Sequence, residues 1–242
     1  MEETIDKEKS LIDHLEDLRR HLLKAAVGVL ISLAICAYFS DWIIDNIILS
    51  PIKTAQLQLI NTIPYGQITM YMSVVLFSSL VLSSPIILFQ LWKFIVPALF
   101  SKEKKYFSKI VFFTTLCFLL GIGFSYFILV PYMLKFFATF GSPNIQNMIS
   151  VSEYISFLLE IVLISGLVFE LPMVAYFLSK VGILTPEFMK HYRRHSIVVI
   201  FILSALITPT TDPFTMIIFS LPMILLYEIS IWVSKITNNK TT

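Results

Sequence analysis

Charge is what this sequence has least of. Asp, Glu, Lys and Arg make up 14% of its 242 residues, against about 25% in soluble proteins. A soluble domain of that length needs more charge to cover its surface, so a water-exposed monomer is excluded. Net charge is only +2 and forms no long basic stripe, which excludes a nucleic-acid binder. The only cysteines, Cys36 and Cys117, lie inside apolar runs; they are too few for a disulfide framework and read as inert thiols. His14, His21, His191 and His195 lack metal-ligand spacing. No P-loop, nucleophile elbow or Cys-x-x-Cys is present, so neither an enzyme nor a cofactor is expected. Internal repeats are missing too, which counts against a proton-coupled small-solute transporter. The start, Met1-Glu2-Glu3-Thr4-Ile5-Asp6, is acidic where a secretory signal is basic.

What is there instead is apolar: 57% of the chain. Uncharged runs predict an all-α, polytopic membrane protein of one integral domain with six transmembrane helices. They are expected at about 22–44, 69–92, 110–134, 154–178, 196–209 and 213–234. A full crossing takes about 20 apolar residues, so the fifth and sixth are expected to be short, with Pro209 and Pro213 framing a tight hairpin. Lys and Arg fix the orientation. Sixteen fall in residues 1–24, 93–109, 179–195 and the tail, against Lys53 and Lys135 in the opposite segments. By the positive-inside rule both termini are cytoplasmic. Trp42, Trp92 and Trp232 fall near span ends, where interfacial indoles belong. The outer segments 41–68 and 135–153 are rich in Ile, Leu or Phe and are expected to form short amphipathic caps.

Three acids stand where this pattern disfavours them. Residues 1–24 carry seven acids against five bases on a face that should be positive. Leu11, Leu15, Leu18 and Leu22 recur at helical spacing, so 10–23 reads as a cytoplasmic amphipathic helix, N-capped by Ser10. On it Glu16 precedes Arg20 by four residues, the favourable order for an intrahelical pair, leaving Asp17 better placed for an outside partner. Glu103 is the sole acid among Lys102, Lys104 and Lys105; a local salt bridge and a binding role both fit it. Glu170 lies deep in the fourth span, two residues before Pro172. A carboxylate there costs roughly 2.5–3.5 kcal/mol on insertion scales, so it points to a wet cavity, a proton relay or a polar contact with a partner helix. Glu160 is nearer the outer end.

At this point the motifs identify a resemblance. His14-Leu15-Glu16-Asp17-Leu18-Arg19, then Ser84-Pro85 with Trp92-Lys93-Phe94-Ile95-Val96-Pro97, resemble the TatC family, the polytopic subunit of the twin-arginine, Sec-independent protein translocase. So do Phe124-Ser125-Tyr126-Phe127 with Pro131, Phe169-Glu170-Leu171-Pro172, Thr208-Pro209 with Asp212-Pro213-Phe214, and Leu226-Tyr227-Glu228. The resemblance covers about residues 10–235. It implies a receptor for the Arg-Arg signal peptides of folded cargo, driven by the protonmotive force in a bacterial plasma membrane. It also implies single-span partners of the TatA/TatB type and self-association. By position it assigns signal-peptide binding to Asp17, Glu103 and Phe94 with Glu16 and Arg19. Partner-helix contact or translocation falls to Glu170, Pro172, Asp212 and Glu228. The physics agrees, because two guanidiniums call for directional, charge-assisted carboxylate forks. The sequence departs from the family in carrying Asp17 for the usual glutamate and His21 for a second base. In the last hairpin Thr215-Met216 replaces the common Ser-Gln.

Overall fold

The computed structural model describes residues 11–99, 107–140, 147–207 and 213–238. Ser10, Glu103 and Asp212 lie outside them. Helix α1 (Leu11–Tyr38) is one unbroken rod, so the expected amphipathic helix and the first span are continuous. It stops at Tyr38, short of the predicted end. The chain then folds into a cap of α2 (Ser40–Ile43), a π-helical turn (Ile44–Ile48), α3 (Ser50–Thr54) and strand β1 (Gln58–Ile60). Helix α4 (Gly66–Leu99) crosses next. It continues through Pro85, whose ring nitrogen leaves the Val81 carbonyl without its helical donor; the Ser84 hydroxyl donates there at 2.8 Å.

Helix α5 (Phe107–Phe124) runs through a π-helical turn (Ser125–Leu129) into α6 (Val130–Thr139). The wider turn falls where Pro131 would otherwise press on the carbonyl four residues back. Strand β2 (Met148–Ser150) pairs in parallel with β1, in the register Gln58↔Met148, Leu59↔Ile149 and Ile60↔Ser150. The outer segments thus form a cap, as expected, but a strand pair that no period announced ties them together. Then follow α7 (Val151–Val168), α8 (Leu171–Lys180), α9 (Pro186–His191), α10 (Arg193–Ile207) and α11 (Pro213–Asn238).

Among the described residues five segments are long and apolar enough to cross a membrane: Leu15–Tyr38, Gly66–Ile95, Ser108–Thr139, Val151–Lys180 and Pro213–Asn238. The expected fifth span is α10, whose 15 described residues reach about 22 Å at 1.5 Å each, less than the hydrocarbon core of about 30 Å. The sixth corrects the expectation. Helix α11 has 26 residues and is not short, because it runs through Pro222 and past Glu228 to Asn238.

The main core lies at the cap end. Ile43, Ile44, Ile48 and Ile52 pack on Val130, Met133 and Leu134 and on Tyr154, Leu158 and Ile161. Hydroxyls tie the cap down: Tyr154 Oη donates to the Ile48 carbonyl at 2.5 Å and Tyr126 Oη to that of Ile47 at 2.7 Å. Helices α5 and α7 cross at backbone distance, for a Cβ on Gly121 would fall 2.6 Å from the Ser165 carbonyl oxygen; small residues permit such approach in membranes. Trp42 and Trp232 are exposed as interfacial indoles should be, but Trp92 is buried against Phe177, centroids 5.1 Å apart. It fills the gap between α4 and α8 instead of facing a headgroup layer.

Candidate functional site

Helix α1 and the short α2 that follows it lie against α4, and three contacts fix the antiparallel register. At the cap end Tyr71 Oη donates to Asp41 Oδ1 at 2.8 Å. Midway Gly28 lies under Ile86, whose Cγ2 would be 2.9 Å from an added Cβ. Towards the far end, where α1 begins and α11 ends, His21 Nδ1–H donates to Gln90 Oε1 at 2.8 Å. One turn further along each helix stand Asp17 and Phe94, both half-buried. Glu16 and Arg19 beside Asp17 are exposed. The expected Glu16–Arg20 pair is not formed among the described residues, and both side chains are exposed. The leucine stripe is likewise uncovered among the described residues. Leu15, Leu18 and Leu22 are 63%, 42% and 67% exposed, so no protein core holds this end of α1.

The second region is the break between α7 and α8. Pro172 has no N–H and would clash with the carbonyl of Val168, so α7 ends there. Glu170 then bridges the turn: its N–H reaches the Leu167 carbonyl at 3.1 Å, and its own carbonyl accepts from Met173 and Val174. The backbone is satisfied, but the buried Glu170 Oε1 and Ser165 Oγ have no hydrogen-bond partner among the described residues. Phe169 is fixed against Phe124, centroids 5.4 Å apart. Beside the break runs an apolar groove of about 450 Å³, lined by Leu167, Leu171, Leu203, Met223 and Tyr227 among others. Glu228 is not joined to Glu170. It forms an ion pair with Arg193 at 2.5 Å, and the adjacent Tyr227 hydroxyl holds α9 through the Met189 carbonyl at 2.9 Å. Glu160 and Glu153 line a cavity of about 780 Å³ at the cap end. Among the described residues no three His, Cys, Asp or Glu stand close enough to hold a metal ion.

The family model for the Sec-independent protein translocase protein TatC matches residues 13–222. The chain belongs to the TatC family. It is 36% identical to the TatC protein of Aquifex aeolicus over 95% of this chain and 96% of that one. It is 38% identical to that of Helicobacter pylori, over 95% and 90%. A crystal structure of the twin arginine translocase receptor TatC superposes with a TM-score of 0.82 at 36% identity, covering 93% of this chain and 99% of the other. The chain is therefore a multi-pass membrane subunit of this translocase and not a catalyst.

Within this TatC-family fold the assigned residues fall into separate places. Asp17 and Phe94 come to one level at the far end, with Glu16 and Arg19 beside them. Glu170 and Pro172 make the break in the fourth span, and Glu228 is engaged by Arg193. His21 and Gln90 went unnoticed as a pair in the sequence. The only available signal was that Gln90 is the lone amide in the run 69–92, a residue that membranes tolerate only with a partner.

Proposed function

We propose that this chain reads Arg-Arg signal peptides at the far end of the α1–α4 pair, and that this end faces the cytoplasm of a bacterial plasma membrane. Asp17 and Glu103 accept the two guanidiniums, Phe94 stacks beside them, and Glu16 and Arg19 set the local charge. The observation that carries the reading is the α1–α4 register, in which a carboxylate and an aromatic ring share one level at the membrane end. Carboxylates on an otherwise basic face attract the arginine pair and disfavour neutral peptides. Both termini are then cytoplasmic, which agrees with sixteen Lys and Arg on that side.

The break at Glu170 and Pro172 serves a later step. An unpartnered carboxylate oxygen at a break in a span, with an apolar groove formed by neighbouring residues, suits a single-span helix of the TatA/TatB type that brings a polar group; Asp212 and Glu228 are assigned to the same step, and copies of the chain associate in the assembly. Transport draws on the protonmotive force. The test is site-specific crosslinking from positions 17, 94 and 103 to a signal peptide with Arg-Arg and to its Lys-Lys counterpart. Crosslinks to the Arg-Arg peptide, lost on Glu103→Lys in protein that still inserts, are expected. Equal crosslinking to both peptides sinks the proposal.

A further inference from the structure

Near the far end, among the described residues, a polar bond joins α1 to α4. Beyond Gly28 that end of α1 has little to rest on, because Leu15, Leu18, Leu22 and Leu23 are all exposed. Large apolar side chains therefore contribute little to setting its distance from α4 at that end. The His21–Gln90 hydrogen bond, 2.8 Å long and half-buried on both sides, lies one turn from Asp17 on one helix and one turn from Phe94 on the other. We infer that His21 and Gln90 are positioning residues, which draw α1 onto α4 so that the short Asp17 side chain reaches the level of the peptide's guanidinium.

The inference rests on the proposed signal-peptide site and adds to it a device that sets specificity. An aspartate reaches one methylene less than a glutamate, so its backbone must stand closer to bind the same guanidinium. A fork-shaped contact is lost over a small displacement. A net hydrogen bond between partly buried neutral groups changes an equilibrium roughly 3- to 10-fold, enough to move α1 without unfolding the bundle.

The full chain in detergent micelles is titrated with a synthetic Arg-Arg signal peptide and its Lys-Lys counterpart, with thermal unfolding recorded for each variant. His21→Ala is expected to weaken Arg-Arg binding roughly 3- to 10-fold and leave the weak Lys-Lys binding unchanged. The exchanged pair His21→Gln with Gln90→His should restore affinity. In an Asp17→Glu background the loss on His21→Ala should shrink, because the longer acid no longer needs the closer helix. Gln90→Asn, whose amide falls short, provides the same test if His21→Ala folds poorly. Wild-type Arg-Arg affinity in both single variants overturns the inference. So does a loss that follows unfolding, equals the loss for Lys-Lys and is not restored by the exchange. A wild-type chain with no preference for Arg-Arg refutes the proposed site itself, a different result from either.

Discussion

Substituting Gly121 tests the structure at its tightest crossing. An alanine Cβ would lie 2.6 Å from the Ser165 carbonyl oxygen, 2.8 Å from Phe169 Cβ and 2.9 Å from Gly166 Cα. None of these is the loose end of a side chain. To reach 3.4 Å, where ordinary contact begins, the Ser165 carbonyl must withdraw by about 0.8 Å, and α7 must go with it. Overpacking of this kind costs about 1–3 kcal/mol, offset by about 1 kcal/mol because alanine favours the helix. Gly123, two residues on in the same helix, has nothing within 4 Å of an added Cβ, so Gly123→Ala should keep the helical gain. The two variants should differ by about 1–3 kcal/mol. At about 2–4 °C per kcal/mol, Gly121→Ala should unfold several degrees below Gly123→Ala on heating in detergent. Phe169 precedes Glu170, so the displaced helix should also carry the break with it and lower export. Equal unfolding temperatures for the two variants would refute the close crossing.

Three further outcomes follow from single contacts. Tyr154→Phe removes the buried donor to the Ile48 carbonyl and should cost about 1–3 kcal/mol, read as a lower unfolding temperature with α-helix content retained. Glu228→Gln should cost at most about 1 kcal/mol, because the Glu228 and Arg193 side chains are 38% and 55% exposed; a larger loss on chemical unfolding would show a drier pair. Glu170→Ala should leave signal-peptide crosslinking intact and reduce transport into inverted vesicles, whereas wild-type transport would make the residue purely structural.

Apolar run length made most of the architecture legible in the sequence. The spans at 69–92, 110–134 and 154–178 need only lengths, and helices occupy each of them. What escaped depended on partners distant in sequence. Strand β1 is three residues long and pairs with β2 across 90 positions, so no local period could mark it. Trp92 sits at a span end, as an interfacial indole would, but its ring turns inward onto Phe177. The Glu16–Arg20 spacing is favourable for a pair, yet exposed charges lose little by staying apart. The candidate site was legible as isolated exceptions, acids on a basic face and a carboxylate in a span. Its geometry was not, because His21 and Gln90 are 69 residues apart, and the lone amide in a span does not name its partner.

These differences follow one pattern along the membrane normal. The cap end carries the large core of isoleucines, Met133 and Tyr154, closed by hydroxyl bonds and a strand pair. Towards the other end burial thins to small clusters, Trp92 with Ile110 and Ala175 with Met189 and Ile231. Only 17% of the first span's window is buried. Regions with few buried contacts open at low free-energy cost, and binding segments are drawn from them. The end of α1 bearing Asp17 can therefore shift against α4 while the cap holds the helices in register. On the proposed reading, cargo is recognised at the end that yields, and a polar bond sets its geometry because large apolar side chains contribute little there.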